Sequence, residues 1–444
     1  MASSFTVSKS SQFMVPPAIK TLAGMLDLST IDRLPGLNAK VRTYHVFGPA
    51  SEPAKVISEA LSKALVHYYP LAGRLVKSSN GDLQIDCNAR GVWFIDATAS
   101  CSLEDIRYLS HPLVPMHEQL LPDPRPEVDP SEVLVLMQVR ILVFISILHC
   151  MQLLMPVSLQ VTQFTCGGFV IGLDSSHTVF DGLGSAQFLN CIAEFARGLK
   201  RPSVEPVWCR EAIPKPPGMA YGGLLDAAAA PPLPMPSYKL EQVIIDVTVD
   251  DISSAKKQFF ELTGQRCSVF DILAARVWQC RTQAIKLDPD EQVKLVFFAN
   301  ARPLVHPPLP EGFYGNCFFP VTVTVSCEML VRSSSTEVVK LIREAKAKLP
   351  VEFARWAAGE GEDPYVPSLA YTTLFVSEWS RLGFGEVDYG WGSPVQVVPL
   401  TYSDLIPVCI LGSPPAPRKG ARLIVQCVEG EHLAAFHEHM MSRA

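Results

Sequence analysis

The first half of the chain alternates between apolar patterns of helical period and patterns of strand period. In PAKVISEALSKALVHYYPLAG, residues 53–73, Val56, Leu61 and Leu65 fall on one face of a helix, and Pro70 ends it. In GDLQIDCNARGVWFIDA, residues 81–97, apolar and polar residues alternate on both sides of a turn, as in two short strands. A further helix is predicted from near Ser185 to a cap at Gly198.

The second half repeats this mixture of periods. Strands are predicted in residues 238–250, 293–303 and 319–327, where β-branched and aromatic residues are concentrated. Helices are predicted in residues 251–264, with Asp250 as the N-cap, and in residues 267–285. Because helices and strands are interspersed in both halves, the pattern predicts a mixed α/β protein.

A segment rich in proline, glycine and alanine separates the two halves. Residues 201–239 lack a clear apolar period, and proline removes backbone donors while glycine removes stiffness. We interpret this segment as a crossover linker. The chain is then divided into an N-terminal domain, residues 1–200, and a C-terminal domain, residues 240–444.

Composition and charge narrow the class of protein. The 444 residues are 48% hydrophobic and 18% charged, so the chain can bury large cores. The net charge of −6 argues against a nucleic-acid-binding protein, which would present a basic face. The 12 cysteines are scattered singly, and no secretory signal is visible at the start. These features favour free thiols and a cytoplasmic location.

The strongest candidate for chemistry is the HTVFDG segment at residues 177–182. It follows the apolar strand pattern GGFVIGLDSS and precedes the predicted helix, so His177 is expected on a strand-to-helix turn, facing a cleft. Imidazole exchanges protons near neutral pH and can take a proton from a hydroxyl or an amine. On spacing alone a second interpretation stays open, in which His177 is a turn residue and Asp181 caps the helix.

Other segments, in a fixed order along nearly the whole chain, favour the catalytic interpretation. They are LSTIDRLPGL (28–37), YYPLAGRL (68–75), SHTVFDG (176–182), FFANARP (297–303), GFYGNC (312–317) and DYGWG (388–392). Together they resemble the plant BAHD acyltransferases, which move an acyl group from a coenzyme A thioester to an alcohol or amine. The resemblance implies two chloramphenicol-acetyltransferase-like domains with mixed sheets and an active-site tunnel between them.

The resemblance also implies roles for the residues around His177. His177 would be the general base, deprotonating the acceptor as it attacks the thioester carbonyl. Asp181 would pair with an arginine, here Arg302, and so hold the turn that carries His177. Gly182 would allow the helix to follow closely. Asp181→Ala is therefore expected to damage folding as well as rate.

The DYGWG segment is structural in the family that the chain resembles. Asp388, Gly390 and Gly392 would form a tight turn. Tyr389 stands where the family usually has phenylalanine, and its hydroxyl would need a partner. For Trp391 two interpretations stay open: simple packing, or donation of its indole N–H to the oxyanion of the transition state.

The acyl-CoA co-substrate needs partners for its phosphates. Ser253, Lys256 and Lys257 lie near the start of the helix after Asp250, and helix N-termini favour anions. An exposed, solvated face is the alternative interpretation of the same residues. No permanently bound cofactor is expected.

A metal site is not expected from the sequence. His432, His437 and His439 cluster near the end of the chain, but their segment, EHLAAFHEHMM, is typical of an exposed helix face. The cysteines have no metal-ligand spacing.

Within the family the sequence most resembles grass enzymes that use hydroxycinnamoyl-CoA, p-coumaroyl-CoA especially. The implied function is transfer of a hydroxycinnamoyl group, or of benzoyl or acetyl, to an alcohol or amine of a plant specialised or cell-wall metabolite by a monomeric enzyme. The alternative is a catalytically impaired or mis-spliced member that only binds ligands.

The most apolar stretch of the chain lies in residues 133–164. Between Ile141 and Leu159 there is no Asp, Glu, Lys or Arg, which raises the hypothesis of a membrane anchor. However, a span here would place residues that build one domain on opposite sides of a membrane. His149, Gln152 and Pro156 also make it a poor span.

We interpret residues 139–160 as an insertion. Without these 22 residues, the flanks join as LVLMQ–VTQF, one uninterrupted strand that leads toward His177. The first residue is valine, whose codons begin GT, and the last is glutamine, which CAG encodes, so the segment has the border letters of a retained intron. The insertion is expected to leave the domain as an exposed apolar excursion.

Overall fold

The computed structural model describes residues 5–37, 39–79, 81–123, 155–218, 238–366, 368–400 and 406–442. Seven α-helices within the described ranges lie beside the sheets. In chain order they are α1 (Pro53–His67), α2 (Gly182–Ala196), α3 (Val249–Thr263), α4 (Val269–Ile285), α5 (Cys327–Arg332), α6 (Ser335–Ala357) and α7 (Gly430–Ser442).

The strands include the predicted segments and several that were not predicted. In chain order they are β1 (Val7–Val15), β2 (Met25–Asp27), β3 (Lys40–Pro49), β4 (Arg74–Lys77), β5 (Leu83–Asp86), β6 (Val92–Ala99), β7 (Val157–Gln163), β8 (Gly168–Ser176), β9 (Leu240–Val247), β10 (Gln292–Asn300), β11 (Phe318–Ser326), β12 (Thr373–Glu378), β13 (Gln396–Pro399), β14 (Val408–Gly412) and β15 (Ala421–Glu429).

Two six-stranded mixed sheets organise the molecule. The first has the order β1-β6-β7-β8-β3-β13, and the second has the order β11-β10-β12-β14-β15-β9. In the first sheet β6 and β7 are parallel, and in the second β10, β12 and β14 are parallel. A small sheet, β2-β5-β4, lies beside them. This architecture confirms the predicted mixed α/β class with two sheet-rich domains.

Each large sheet buries one face against helices. In the first, alternate residues Val157, Leu159 and Val161 of β7 join a core with apolar residues of α1 and α2. In the second, Leu295 and Phe297 of β10 point toward α4, and the ring of Phe297 lies 5.1 Å from that of Phe270. The buried strands and amphipathic helices thus account for the periods seen in the sequence.

The division of the chain at residues 201–239 does not follow the sheets throughout. β13 belongs to the second half of the sequence, yet it pairs with β3 at the edge of the first sheet. The first part of the predicted linker also packs into the protein: Arg210 and Ile213 are buried, and Val207 bridges to Phe313. Residues 219–237 lie outside the described residues.

The predicted insertion is only partly described. Its residues 139–154 lie outside the described residues, whereas residues 157–160 belong to β7 in the middle of the first sheet. The expectation that the whole segment leaves the domain is therefore wrong for these four residues. Their alternation explains the difference, because Val157 and Leu159 face the core while Gln160 donates to the Gln119 carbonyl at 2.7 Å.

Two further details differ from or add to the sequence-based expectations. α3 is capped by Thr248 rather than Asp250, because Thr248 and Asp251 exchange side-chain and backbone hydrogen bonds in a capping box. Every cysteine among the described residues is free, as predicted. No helix in the described ranges is long and apolar enough to cross a membrane.

Candidate active site

His177 immediately follows β8, at the end of the buried strand that the sequence predicted. Its backbone N–H donates to the Ala39 carbonyl at 3.0 Å, which continues the pairing of β8 with β3. The side chain is half-buried, and its ring centroid lies 6.4 Å from that of Phe318. Among the described residues, Nδ1 is buried without a hydrogen-bond partner. The backbone of His177 is therefore fixed by a hydrogen bond, whereas Nδ1 of its imidazole is not.

Asp181 makes both of the contacts expected of it: it caps the helix that follows, and it pairs with Arg302. Its Oδ1 accepts a hydrogen bond from the Gly184 N–H at 3.0 Å, so it is the N-cap of α2. The Arg302 guanidinium donates to Oδ2 at 2.8 Å and to Oδ1 at 2.9 Å, and the Cys317 N–H donates to Oδ2 at 3.2 Å. Four hydrogen bonds thus fix one carboxylate directly after the turn that carries His177.

Arg302 reaches Asp181 from the end of β10. It also donates to the Gly315 carbonyl at 2.8 Å, which connects the ion pair to the GFYGNC segment. Burial alone would lower the pKa of the Arg302 guanidinium, but the Asp181 carboxylate reverses this effect, and the net pKa is raised. The pair therefore joins the two halves of the chain at the base of the His177 turn.

Asn316 and Asp32 form a second support that the sequence analysis did not assign. The Asn316 side-chain amide donates to the Asp32 carboxylate at 2.7 Å and to the His177 carbonyl at 2.8 Å. Asp32 and Asn316 are both fully buried. The signal was present, since a charged residue inside the apolar segment LSTIDRLPGL has to find a buried partner.

Arg210 completes this support from the segment predicted to be a linker. Its Nε lies 2.8 Å from Oδ2 of Asp32, and its guanidinium donates to the Val179 carbonyl at 2.6 Å. The guanidinium also stacks 4.0 Å above the ring of Trp208. The turn is therefore held at three points by separate parts of the chain. Asn316 binds the His177 carbonyl, Arg210 binds the Val179 carbonyl, and Arg302 binds the Asp181 carboxylate.

Two glycines allow this close packing at the start of α2. A Cβ on Gly182 would lie 2.6 Å from a terminal methyl group of Leu382, which a side-chain movement could relieve. A Cβ on Gly184 would lie 1.9 Å from the Tyr314 carbonyl oxygen, which belongs to the backbone. Gly184, which the sequence analysis did not select, is thus under the stronger steric constraint.

The DYGWG segment forms the tight turn that its glycines predicted. Oδ1 of Asp388 accepts hydrogen bonds from the N–H groups of Gly390 and Gly392, each at 2.8 Å. These glycines have φ values of 104° and 95°, which side chains rarely adopt. The Arg197 side chain, at the C-terminal end of α2, donates to the Asp388 carbonyl.

Trp391 does not lie where an oxyanion donor would be needed. Its ring packs edge-on against Phe169, with centroids 5.8 Å apart. Phe169 precedes His177 by eight positions along β8, which corresponds to about 26 Å of extended strand. The oxyanion interpretation of Trp391 is therefore wrong, and the DYGWG turn supports the far end of β8 rather than the surroundings of His177.

Tyr389 is buried in the first core, where its ring lies 5.4 Å from that of Phe47. Its hydroxyl finds no hydrogen-bond partner among the described residues, and burial raises its pKa. The partner that the added hydroxyl was expected to need is thus missing.

Replacing Tyr389 by phenylalanine is therefore expected to raise the melting temperature. An unpaired buried polar group costs about 1–3 kcal/mol, so we expect an increase on the order of 1–3 °C by differential scanning fluorimetry. Tyr365→Phe is the matched control, because the Tyr365 hydroxyl donates to the Phe318 carbonyl at 2.6 Å and its loss should lower the melting temperature. A decrease in both variants would contradict an unpaired Tyr389 hydroxyl.

The residues expected to hold CoA phosphates lie together on one face at the start of α3. Ser253 and Lys257 are exposed, and Lys257 pairs with Glu261 at 3.8 Å. Asp250 and Asp251 in the first turn make this helix start unfavourable for an anion. Lys256 lies on the same face of the helix. These contacts agree with a solvated face, and the binding of CoA phosphates by the three residues stays a prediction.

The histidines near the end of the chain lie on α7. Within the described ranges, one group could hold a metal ion: Glu429, Glu431 and His432, whose ligand atoms lie within 4.8 Å of one another. His437 and His439 are not part of it. The group lies at the start of the helix. Because exposed acidic groups are common without a metal ion, we assign no metal to it.

Comparison with known proteins agrees with the fold. The model of the Transferase family matches residues 5–442. Acyl transferase 4 of Oryza sativa subsp. japonica is 44% identical over 462 residues, which cover 98% of this chain and 98% of the relative. A myricetin 3-O-glucosyl 1,2-rhamnoside 6'-O-caffeoyltransferase of Crocosmia x crocosmiiflora is 39% identical over 453 residues, which cover 98% and 99%.

A solved structure has the same fold across the whole molecule. The crystal structure of vinorine synthase superposes with a TM-score of 0.66 at 19% identity, covering 99% of this chain and 98% of that one. At this identity the likeness concerns the fold alone. With the family model and the relatives, it leads to one conclusion: the chain belongs to the Transferase family of acyl-CoA-dependent acyltransferases, the BAHD family.

Proposed function

We propose that this acyltransferase moves a hydroxycinnamoyl group from its CoA thioester to an alcohol, with His177 as the general base. The observation that carries the proposal is the state of His177. Its ring is half-buried, and Nδ1 has no partner within the described residues, while Asn316 and Arg210 hold the backbone carbonyls of its turn and Arg302 holds the Asp181 carboxylate. A fixed turn that carries a partly exposed imidazole suits a base that has to meet a substrate.

The proposed reaction needs one base and no covalent acyl-enzyme. The acceptor oxygen attacks the thioester carbonyl carbon while an imidazole nitrogen of His177 takes the hydroxyl proton. The resulting tetrahedral oxyanion collapses, the carbon–sulfur bond breaks, and the protonated imidazole returns the proton to the leaving CoA thiolate. Ester and free CoA thiol are the products, and His177 is regenerated.

Asp181 has a positioning role in this proposal. Both of its oxygens accept hydrogen bonds from Arg302, and one also caps α2, so the carboxylate is fully engaged away from the imidazole. It is therefore proposed to hold the turn rather than to accept a proton. Gly182 and Gly184 let α2 begin close to this turn.

The choice of donor rests on the relatives. The Crocosmia enzyme is named as a caffeoyltransferase, and caffeoyl is a hydroxycinnamoyl group. Benzoyl and acetyl remain the alternative donors, and amines the alternative acceptors, so the test has to include all of them.

A matrix of donors and acceptors tests the proposal. Purified protein is incubated with p-coumaroyl-CoA, caffeoyl-CoA, benzoyl-CoA or acetyl-CoA and with pooled alcohols or pooled amines. Thiol release is followed with a chromogenic disulfide, and products are identified by mass spectrometry. We expect a hydroxycinnamoyl ester as the main product.

Two other outcomes would contradict the proposal. A main product with another acyl group or an amide would correct the substrate class. No release above that of the His177→Ala variant, from folded protein with an unchanged melting temperature, would support the alternative of a catalytically impaired member that only binds ligands.

A further inference from the structure

A row of aromatic rings extends from His177 across the second sheet. Phe318, at the start of β11, has its ring centroid 6.4 Å from that of His177. The ring of Phe298 on β10 lies 5.4 Å from Phe318 at an interplanar angle of 84°, and that of Phe375 on β12 lies 6.4 Å from Phe298, nearly parallel. The row therefore connects the proposed base with three adjacent strands.

These rings lie on the face of the sheet that does not pack against helices. Their neighbours along the strands, Phe297 on β10 and Val376 on β12, point into the helix-covered core. Because successive side chains of a strand point to opposite faces, Phe298 and Phe375 point away from that core. The contact of Phe318 with His177 shows that this opposite face is turned toward the first half of the chain.

Packing within the protein does not account for Phe298. Its side chain is 43% exposed, although it belongs to a row of aromatic residues beside the proposed base. A single exposed apolar residue needs no explanation, but here exposed and half-buried rings adjoin one another. The Tyr365 hydroxyl holds the backbone of Phe318 by donating to its carbonyl at 2.6 Å, and the two rings lie 5.9 Å apart. The result is an aromatic surface on which Phe298 is exposed.

The geometry points to Phe298 and Phe318 as the binding surface for an aromatic ring of the substrate, with Phe375 behind them. Aromatic rings favour offset-stacked or edge-to-face contacts with centroids about 4.5–7 Å apart, and a substrate ring against the exposed Phe298 would make the kind of contact that the rings of the row make with one another. The ring belongs either to the acyl group of the thioester or to the acceptor. This assignment rests on the proposed function, because the row is located by its distance from His177.

The test compares aromatic with aliphatic substrates in Phe298→Ala, and Phe298→Leu keeps an apolar side chain at the same position. In the donor arm, kcat/KM is measured for p-coumaroyl-CoA and octanoyl-CoA with one aliphatic alcohol. In the acceptor arm, it is measured for benzyl alcohol and hexanol with acetyl-CoA. We expect about a tenfold loss of preference for the aromatic substrate in one arm, which corresponds to about 1.4 kcal/mol. That arm identifies the source of the ring.

Phe260→Ala is the matched control, because Phe260 lies on α3 and is 49% exposed. It should leave both preferences unchanged. Equal losses for aromatic and aliphatic substrates in both arms, or no loss in either, would overturn the assignment while thiol release continued. Absence of thiol release from the wild-type protein would instead contradict the proposed function. Titration of His177→Ala with p-coumaroyl-CoA and octanoyl-CoA, and with benzyl alcohol and hexanol, then tests the aromatic surface through binding alone.

Discussion

Replacement of His177 by alanine is expected to lower kcat by about 10²–10⁴-fold, the usual contribution of a positioned general base. KM for the acyl-CoA should change little, because the imidazole is proposed to act on the acceptor proton rather than to bind the thioester. The melting temperature should also stay close to that of the wild type, since the turn is held through its backbone by Asn316 and Arg210. Steady-state kinetics of CoA release and scanning fluorimetry measure these quantities.

His437→Ala provides the matched control for this experiment. His437 is exposed on α7, away from the residues that hold the turn, and its replacement should leave kcat unchanged. A loss of less than tenfold for His177→Ala, with the fold intact, would mean that another group takes the acceptor proton.

Replacement of Asp32 by alanine is expected to cause the largest loss of stability. Asp32 and Arg210 are both almost completely buried, and removal of one partner of a buried pair leaves an uncompensated charge at a cost of about 3–5 kcal/mol. Asn316 would also lose its acceptor, so the His177 carbonyl would be held less firmly. We expect a lower melting temperature and, in the folded fraction, a lower kcat with a smaller change in KM.

Further variants separate charge from shape at this position. Asp32→Asn keeps an acceptor for Asn316 but removes the charge opposite Arg210, so its activity per folded molecule should exceed that of Asp32→Ala. Combining Asp32→Asn with Arg210→Met should cost less stability than the two single losses added together, because the charges are removed as a pair. Asp290→Ala, at an exposed carboxylate, is the control. Additive losses would indicate that Asp32 and Arg210 stabilise the fold independently.

The part of the site that was predicted from the sequence is the part fixed by residues close to one another along the chain. His177 was placed correctly on a turn because an apolar strand precedes it and a helix follows, and both signals lie within a few residues. The Asp181–Arg302 pair followed from resemblance to a family rather than from spacing. Its partners lie 121 residues apart, and the sequence pattern alone gave no reason to bring them together.

The supports that the sequence analysis missed are all long-range contacts of single polar residues. Asn316 and Asp32 are 284 residues apart, and each appears in its segment as one polar residue without a period. β13 was missed for a related reason, since four residues are too few to display alternation. The choice between the two interpretations of Trp391 could not be made from the sequence, because it depends on which end of β8 the side chain meets.

The register of β7 has a consequence for chain length. Residues 135–138 read VLMQ and residues 157–160 read VSLQ, so both begin with valine and end with glutamine. A shorter chain without residues 139–160 would place valine at the position of Val157, methionine at that of Leu159, and glutamine at that of Gln160. Leucine for Ser158 is the one change of polarity. The shorter chain would therefore keep the alternation of β7 and its connection to His177, with leucine in place of the buried Ser158.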